Sequence, residues 1–129
     1  ANGKFEGIID DTISEKLVDR LVLCSGKIYY ELLDRREKEN SEKVALVRLE
    51  QLFPLDTEGI KLLIEKYKAK EILWVQEEPE NMGAWTFILS QLWEFEINVI
   101  ARTASAATAS GSSKRSAVRQ KEIIDRVFK

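Results

Sequence analysis

The sequence predicts an α/β domain organised around a mostly parallel sheet, and three observations carry that prediction. Four short apolar runs alternate with longer stretches whose apolar residues recur at helical spacing, the pattern of βαβ units. The chain has 129 residues, the length of one ordinary domain with one core. Its 44% hydrophobic and 33% charged residues are the balance of a globular protein.

The elements follow in order. Residues 1–19 are read as a lead-in to a domain at 20–129. Its stretch from Phe5 to Leu17 either packs on the sheet or hangs free. The start has no initiating Met and no basic segment leading into an apolar one, so it is not a secretory signal and reads as a boundary within a longer protein. The first strand is Arg20–Cys24, followed by a surface helix over Lys27–Glu39, where Ile28, Leu32 and Leu33 face inward beside charged neighbours. A second strand is expected at Val44–Leu49. After Pro54, Asp56 or Thr57 can cap a helix whose inner side is Ile60, Leu63, Ile64 and Tyr67.

The third strand is placed at Glu71–Gln76. A helix over Ala84–Phe95 follows, and its Trp85, Phe87, Leu89, Leu92 and Trp93 are read as core, so that the three tryptophans are buried or half-buried. The last strand is Ile97–Ala101 and the last helix about Ser116–Phe128. Between them lie the small residues of 103–113, read as a loop that is either functional or simply a flexible connection.

Composition excludes several functions. No apolar run approaches the ~20 residues of a membrane-spanning helix. There is no His, which removes Ser-His-Asp and Cys-His mechanisms and the commonest metal ligand. The lone Cys24 lies in an apolar run and reads as core, not as a nucleophile. Neither GxGxxG nor GxxxxGK[ST] occurs. The net charge of −2 divides into 13 basic and 20 acidic residues before position 102 and 7 basic and 2 acidic from there on. An acidic chain with a basic tail suits an anionic ligand or an acidic partner better than nucleic acid. A solvated helix end accounts for the same bias.

In an open α/β sheet, ligands bind outside the carboxyl ends of the strands. The candidate residues there are Arg48, Gln76, Glu77, Glu78, Asn81, Arg102 and Ser105, with Lys114 and Arg115 beyond the loop, as a possible effector or anion site. Glu77 and Glu78 are adjacent, so on an extended chain they diverge and do not form an acid-base dyad. One of them is expected to accept from loop amides or to pair with Arg48 or Arg102. Arg36 reads as an arginine of the helix surface.

Four segments resemble one family. They are Val22-Leu-Cys-Ser-Gly-Lys-Ile-Tyr-Tyr-Glu-Leu-Leu33, Val44-Ala-Leu-Val-Arg-Leu-Glu-Gln-Leu-Phe-Pro54, Ile72-Leu-Trp-Val-Gln-Glu-Glu-Pro-Glu-Asn-Met-Gly-Ala-Trp85 and the Ser/Thr/Ala loop after Arg102. Together they are similar to the C-terminal domain of the first, decarboxylating component of 2-oxoglutarate dehydrogenase. The resemblance implies a transketolase C-terminal-like, three-layer α/β/α sandwich. It also implies a homodimeric parent that uses thiamine diphosphate and magnesium and passes succinyl to a lipoyl-bearing dihydrolipoyl succinyltransferase. Such a parent works in the tricarboxylic acid cycle, in the bacterial cytoplasm or the mitochondrial matrix. The cofactor segments of the family fall outside this chain, which alone is expected to be inactive and to hold no cofactor, metal or catalytic residue.

Some relatives bind acetyl-coenzyme A or AMP as effectors. The family reads Ser-Ala-Ser-Pro-Ala-Thr-Gly and then His where this chain has Ser105-Ala-Ala-Thr-Ala-Ser-Gly111 and Ser116. The second Ser, the Pro and the His are replaced. Rival readings are a purely structural oligomerisation module, the 2-oxoadipate-specific branch of the family, and another thiamine enzyme such as transketolase or pyruvate dehydrogenase.

Overall fold

The computed structural model describes residues 7–11, 18–102 and 113–129, with side chains of the last helix described from Ala117. Nine elements follow in chain order: β1 (Ile8–Ile9), β2 (Arg20–Cys24), α1 (Ile28–Glu39), β3 (Val44–Leu49), α2 (Thr57–Tyr67), β4 (Glu71–Pro79), α3 (Trp85–Gln91), β5 (Ile97–Arg102) and α4 (Ser113–Phe128). The sheet order is β1-β3-β2-β4-β5. Strand β1 pairs antiparallel with β3, and β3, β2, β4 and β5 are mutually parallel.

The central strands are apolar on both faces because both faces are covered. Alternate side chains go to opposite sides. Leu21, Leu23, Ala45, Val47 and Trp74 pack under α2 and α3 with Ile60, Leu63, Tyr67 and Ile88. Val22, Cys24, Leu46, Val75 and Ile100 pack under α1 and α4 with Ile28, Leu32, Ile123, Ile124 and Val127. The result is the three-layer α/β/α sandwich that the sequence and the resemblance led us to expect.

The four parallel strands fall within a residue of their expected starts, but two extend further. Strand β4 runs on to Pro79 through a register shift after Val75, and β5 reaches Arg102. Helix α2 is capped as expected, the Asp56 carboxylate accepting from the Gly59 amide at 2.9 Å. Helix α4 begins at Ser113, three residues before its expected start.

Three expectations are corrected. Helix α3 ends at Gln91, not Phe95: Leu92 leaves the helix, and the chain turns so that Glu94 reaches Lys61 of α2 at 3.2 Å. Trp93 is accordingly not core but 77% exposed. Arg36 is not a surface arginine. It pairs with Asp11 on the β1 segment and donates to the Val44 carbonyl at 3.0 Å, and the two side chains are only 11% and 3% exposed.

The Arg36 correction shows what the described part of the lead-in does. Beyond β1, Asp11 accepts from the Leu46 amide and holds Arg36 of α1, while the preceding Asp10 accepts from the Tyr67 hydroxyl at 2.6 Å and pairs with Lys66 of α2. Two adjacent carboxylates thus tie the sheet edge to both helical layers.

Candidate functional site at the carboxyl ends of the strands

Connections from β2 and from β4 leave the sheet toward opposite faces, so the topological switch point lies between these neighbouring strands. The residues just beyond them are Ser25-Gly26 and the segment from Gln76 to Gly83.

Gln76 is a buried polar side chain, 4% exposed, and its hydrogen bonds build the second of these loops. Its Nε2 donates to the carbonyls of Glu78, Pro79 and Met82 at 3.2, 2.7 and 2.8 Å. Its Oε1 accepts from Trp74 Nε1 at 2.8 Å and from the Trp85 amide at 3.1 Å. A buried amide whose capacity is filled in this way fixes a loop in one shape. Gly83 completes the turn at φ +69°, where a Cβ would stand 3.1 Å from Gln76 Oε1 and from Glu78 Oε1. Gln76 therefore positions the loop and has no free group for a ligand.

Glu77 and Glu78 point to opposite faces. Glu78 is exposed beside Gly83 under the α3 side, whereas Glu77 faces α4 and accepts from Gln120 Nε2 at 3.2 Å. Gln120 also donates to Glu31 of α1 at 2.7 Å, so one amide bridges both helices to the end of β4. The pairing of Glu77 or Glu78 with Arg48 or Arg102 is corrected: among the described residues neither glutamate forms an ion pair with either arginine. The cause is alternation, which turns Glu78 away, together with Gln120, which engages Glu77.

Arg48 and Arg102 close the rim on the α1/α4 side. Arg48 donates to the Tyr30 hydroxyl at 2.9 Å, lies 3.6 Å from Glu50 and stands 5.2 Å from the Tyr30 ring centre. The Arg102 carbonyl accepts from the Glu80 amide at 3.3 Å, tying β5 to the β4 loop. The buried side-chain polar atoms left without a partner among the described residues are Arg48 Nε, Arg102 Nε and Gln120 Oε1. All three belong to this one face and end of the sheet. Buried polar atoms are nearly always satisfied, so such a concentration marks a place where polar partners are missing.

Cys24 lies beneath the same rim. Burial pushes its thiol up to about 12 against a smaller opposing pull from Arg48, which leaves it protonated and unreactive. Asn81 is exposed on the loop and approaches neither arginine by a hydrogen bond. Ser105 lies outside the described residues. Lys114 and Arg115 fall on the first turn of α4, and their side chains also lie outside them. Sequence reasoning found both arginines but missed Gln120, Tyr30 and Glu31.

The fold and the chain both have relatives. A solved structure described as a split gene transketolase, an inactive beta4 tetramer, superposes with a TM-score of 0.64 at 15% identity, covering 99% of this chain and 42% of that one. This likeness is one of fold. An oxoglutarate dehydrogenase from Buchnera aphidicola subsp. Baizongia pistaciae is 38% identical over 96% of the chain, and a multifunctional 2-oxoglutarate metabolism enzyme from Mycobacterium sp. (strain KMS) is 47% identical over 86%. The chain spans only 14% and 9% of the length of these two relatives. The family model described as 2-oxoglutarate dehydrogenase C-terminal matches residues 1–128. With the match running through the lead-in, all four parallel strands and the last helix, the chain belongs to the 2-oxoglutarate dehydrogenase C-terminal family.

Proposed function

We propose that this chain is the C-terminal structural and regulatory domain of a 2-oxoglutarate dehydrogenase first component, which decarboxylates 2-oxoglutarate and delivers succinyl to the lipoyl group of a dihydrolipoyl succinyltransferase. The observation that carries this reading is the family match over residues 1–128 together with relatives at 38% and 47% identity whose names specify 2-oxoglutarate chemistry. In the full-length protein, residues 20–129 form the domain and 1–19 lead into it from the preceding part. A homodimer in the cytoplasm of a bacterium, or in the matrix of a mitochondrion, is the setting proposed.

Thiamine diphosphate and magnesium belong to the parent and not to the residues described here. Among those residues no three Cys, Asp or Glu groups gather where a metal ion is held. Of the rim carboxylates, Glu77 is engaged by Gln120 and Glu50 lies beside Arg48. This donor set does not fit the cofactor, and no reaction step is assigned to this chain.

Its own role lies on the rim. Arg48 on β3 and Arg102 on β5 are three strand spacings apart across the sheet and two residues offset along it, about 16 Å between backbones. Acetyl-coenzyme A and AMP are the proposed effectors, with Arg48, Arg102, Lys114 and Arg115 proposed to supply charge and Asn81 and Ser105 proposed to complete the site. The partnerless Nε atoms of the two arginines support this over a purely structural module.

The experiment is release of carbon dioxide by the full-length protein with thiamine diphosphate and magnesium, comparing 2-oxoglutarate with 2-oxoadipate. Preference for 2-oxoglutarate by tenfold or more, with no activity from the 129-residue chain alone, is the expected result. Preference for 2-oxoadipate, or activity on neither, overturns the reading.

A further inference from the structure

Opposite charges on neighbouring strands and on one face of a sheet ordinarily pair. At the end of β4 they do not. Val75 is paired with Ile100 and Pro79 with Arg102, so Glu77 lies in the register shift between them, one strand away from Arg102. Alternation from Ile100, which packs under α1 and α4, puts Arg102 on the same face as Glu77. Yet among the described residues Arg102 Nε is buried without a partner, and Glu77 accepts from Gln120 of α4 instead.

The Gln120 amide is held in one orientation. Its Nε2 carries two hydrogens, and both point at carboxylates, Glu31 of α1 at 2.7 Å and Glu77 at 3.2 Å. Turning the amide over would set its oxygen against two anions. Oε1 is therefore left buried with no donor, a state that costs stability. A side chain placed only to fill the seam between α1 and α4 would carry no such cost, and Arg35 already joins those helices through Asp125 at 2.7 Å. What the arrangement achieves is a separation of charge. The carboxylates are drawn toward the helical layer, and the Arg102 guanidinium is left for another anion.

We infer that Gln120 is a positioning residue of the rim, holding Glu77 toward α4 so that Arg102 stays available to an anionic effector. This rests on the reading of the rim as an effector site. Without the amide, Glu77 turns to Arg102, and an internal ion pair competes with the effector for one guanidinium. Gln120 acts through Glu77 and makes no contact of its own with the effector.

The test is calorimetric titration of the full-length protein with acetyl-coenzyme A. It compares the unmodified protein with Gln120→Met, which keeps the length of the side chain and loses both N–H groups. Affinity is expected to fall about tenfold in Gln120→Met and to return to within about threefold in the double variant Gln120→Met with Glu77→Gln, where no carboxylate competes. Arg35→Ala, which removes another tie between α1 and α4 without touching Glu77, is expected to leave affinity unchanged. Gln120→Leu, alone and with Glu77→Gln, repeats the comparison with a side chain of different shape, so the result does not hang on how one replacement packs. Unchanged affinity in both Gln120 variants, a loss that Glu77→Gln does not restore, or an equal loss in Arg35→Ala overturns the inference. Those outcomes leave the effector reading in place, whereas no binding by the unmodified protein removes both.

Discussion

Single residues decide how the β4 loop is held. Replacing Gln76 with Leu fills the site with apolar volume but strands three loop carbonyls, the Trp74 indole N–H and the Trp85 amide. Each stranded group costs ~1–3 kcal/mol where it stays buried, so a loss of about 3 kcal/mol or more in urea unfolding is expected. Gly83→Ala meets both a left-handed backbone and a Cβ 3.1 Å from two side-chain oxygens, and should cost more than ~1 kcal/mol. Cys24 gives a chemical check. With its thiol pushed up to about 12 by burial, it should resist a disulfide reagent at pH 8 in the native protein and react on unfolding. Because the folded value lies above the unfolded 9.0, its contribution to stability is complete below pH 9 and is lost as pH rises toward 12.

At the scale of elements, the β1 segment and the helix ends carry the testable features. Asp11→Ala removes the partner of a guanidinium that is only 11% exposed and should cost about 3–5 kcal/mol, the range for breaking a buried ion pair. Lys38→Ala, at a pair whose side chains are 73% and 62% exposed, should change stability by less than ~0.5 kcal/mol. Helix α2 ends on Lys68 at φ 47°, a left-handed position that glycine adopts without strain, so Lys68→Gly is expected to stabilise by about 0.5 kcal/mol. Thermal unfolding of the three variants side by side measures these differences.

The same elements show what could be read in advance. Strands β2 and β3 were legible because burial on both faces leaves an unbroken apolar run, and α2 because Asp56 announces its start. Helix α3 reads too long because nothing in Trp85–Phe95 distinguishes a core-facing apolar residue from an exposed one. The Asp11–Arg36 pair joins residues 25 apart, and the Gln76 network depends on a loop path that no local pattern encodes. Arg48 and Arg102 are identified from their place at the carboxyl ends of the expected strands. Their missing partners, and the bridge that Gln120 makes between Glu31 and Glu77, emerge only once α1 and α4 are laid over the sheet.

At the scale of the whole molecule, the α1/α4 layer is ion-paired outside and polar at its carboxyl-end rim, where the proposed effector site lies. The measurement that tests the rim most directly is calorimetric titration of the full-length protein with acetyl-coenzyme A and with AMP, for the unmodified protein, Arg102→Ala, Arg48→Ala and the exposed control Lys38→Ala. The account expects saturable binding that weakens at least tenfold, about 1.4 kcal/mol, in each rim variant and stays unchanged in the control. Equal affinity in all four proteins, or binding by none of them, would contradict it and leave the rim as the structural end of a sheet.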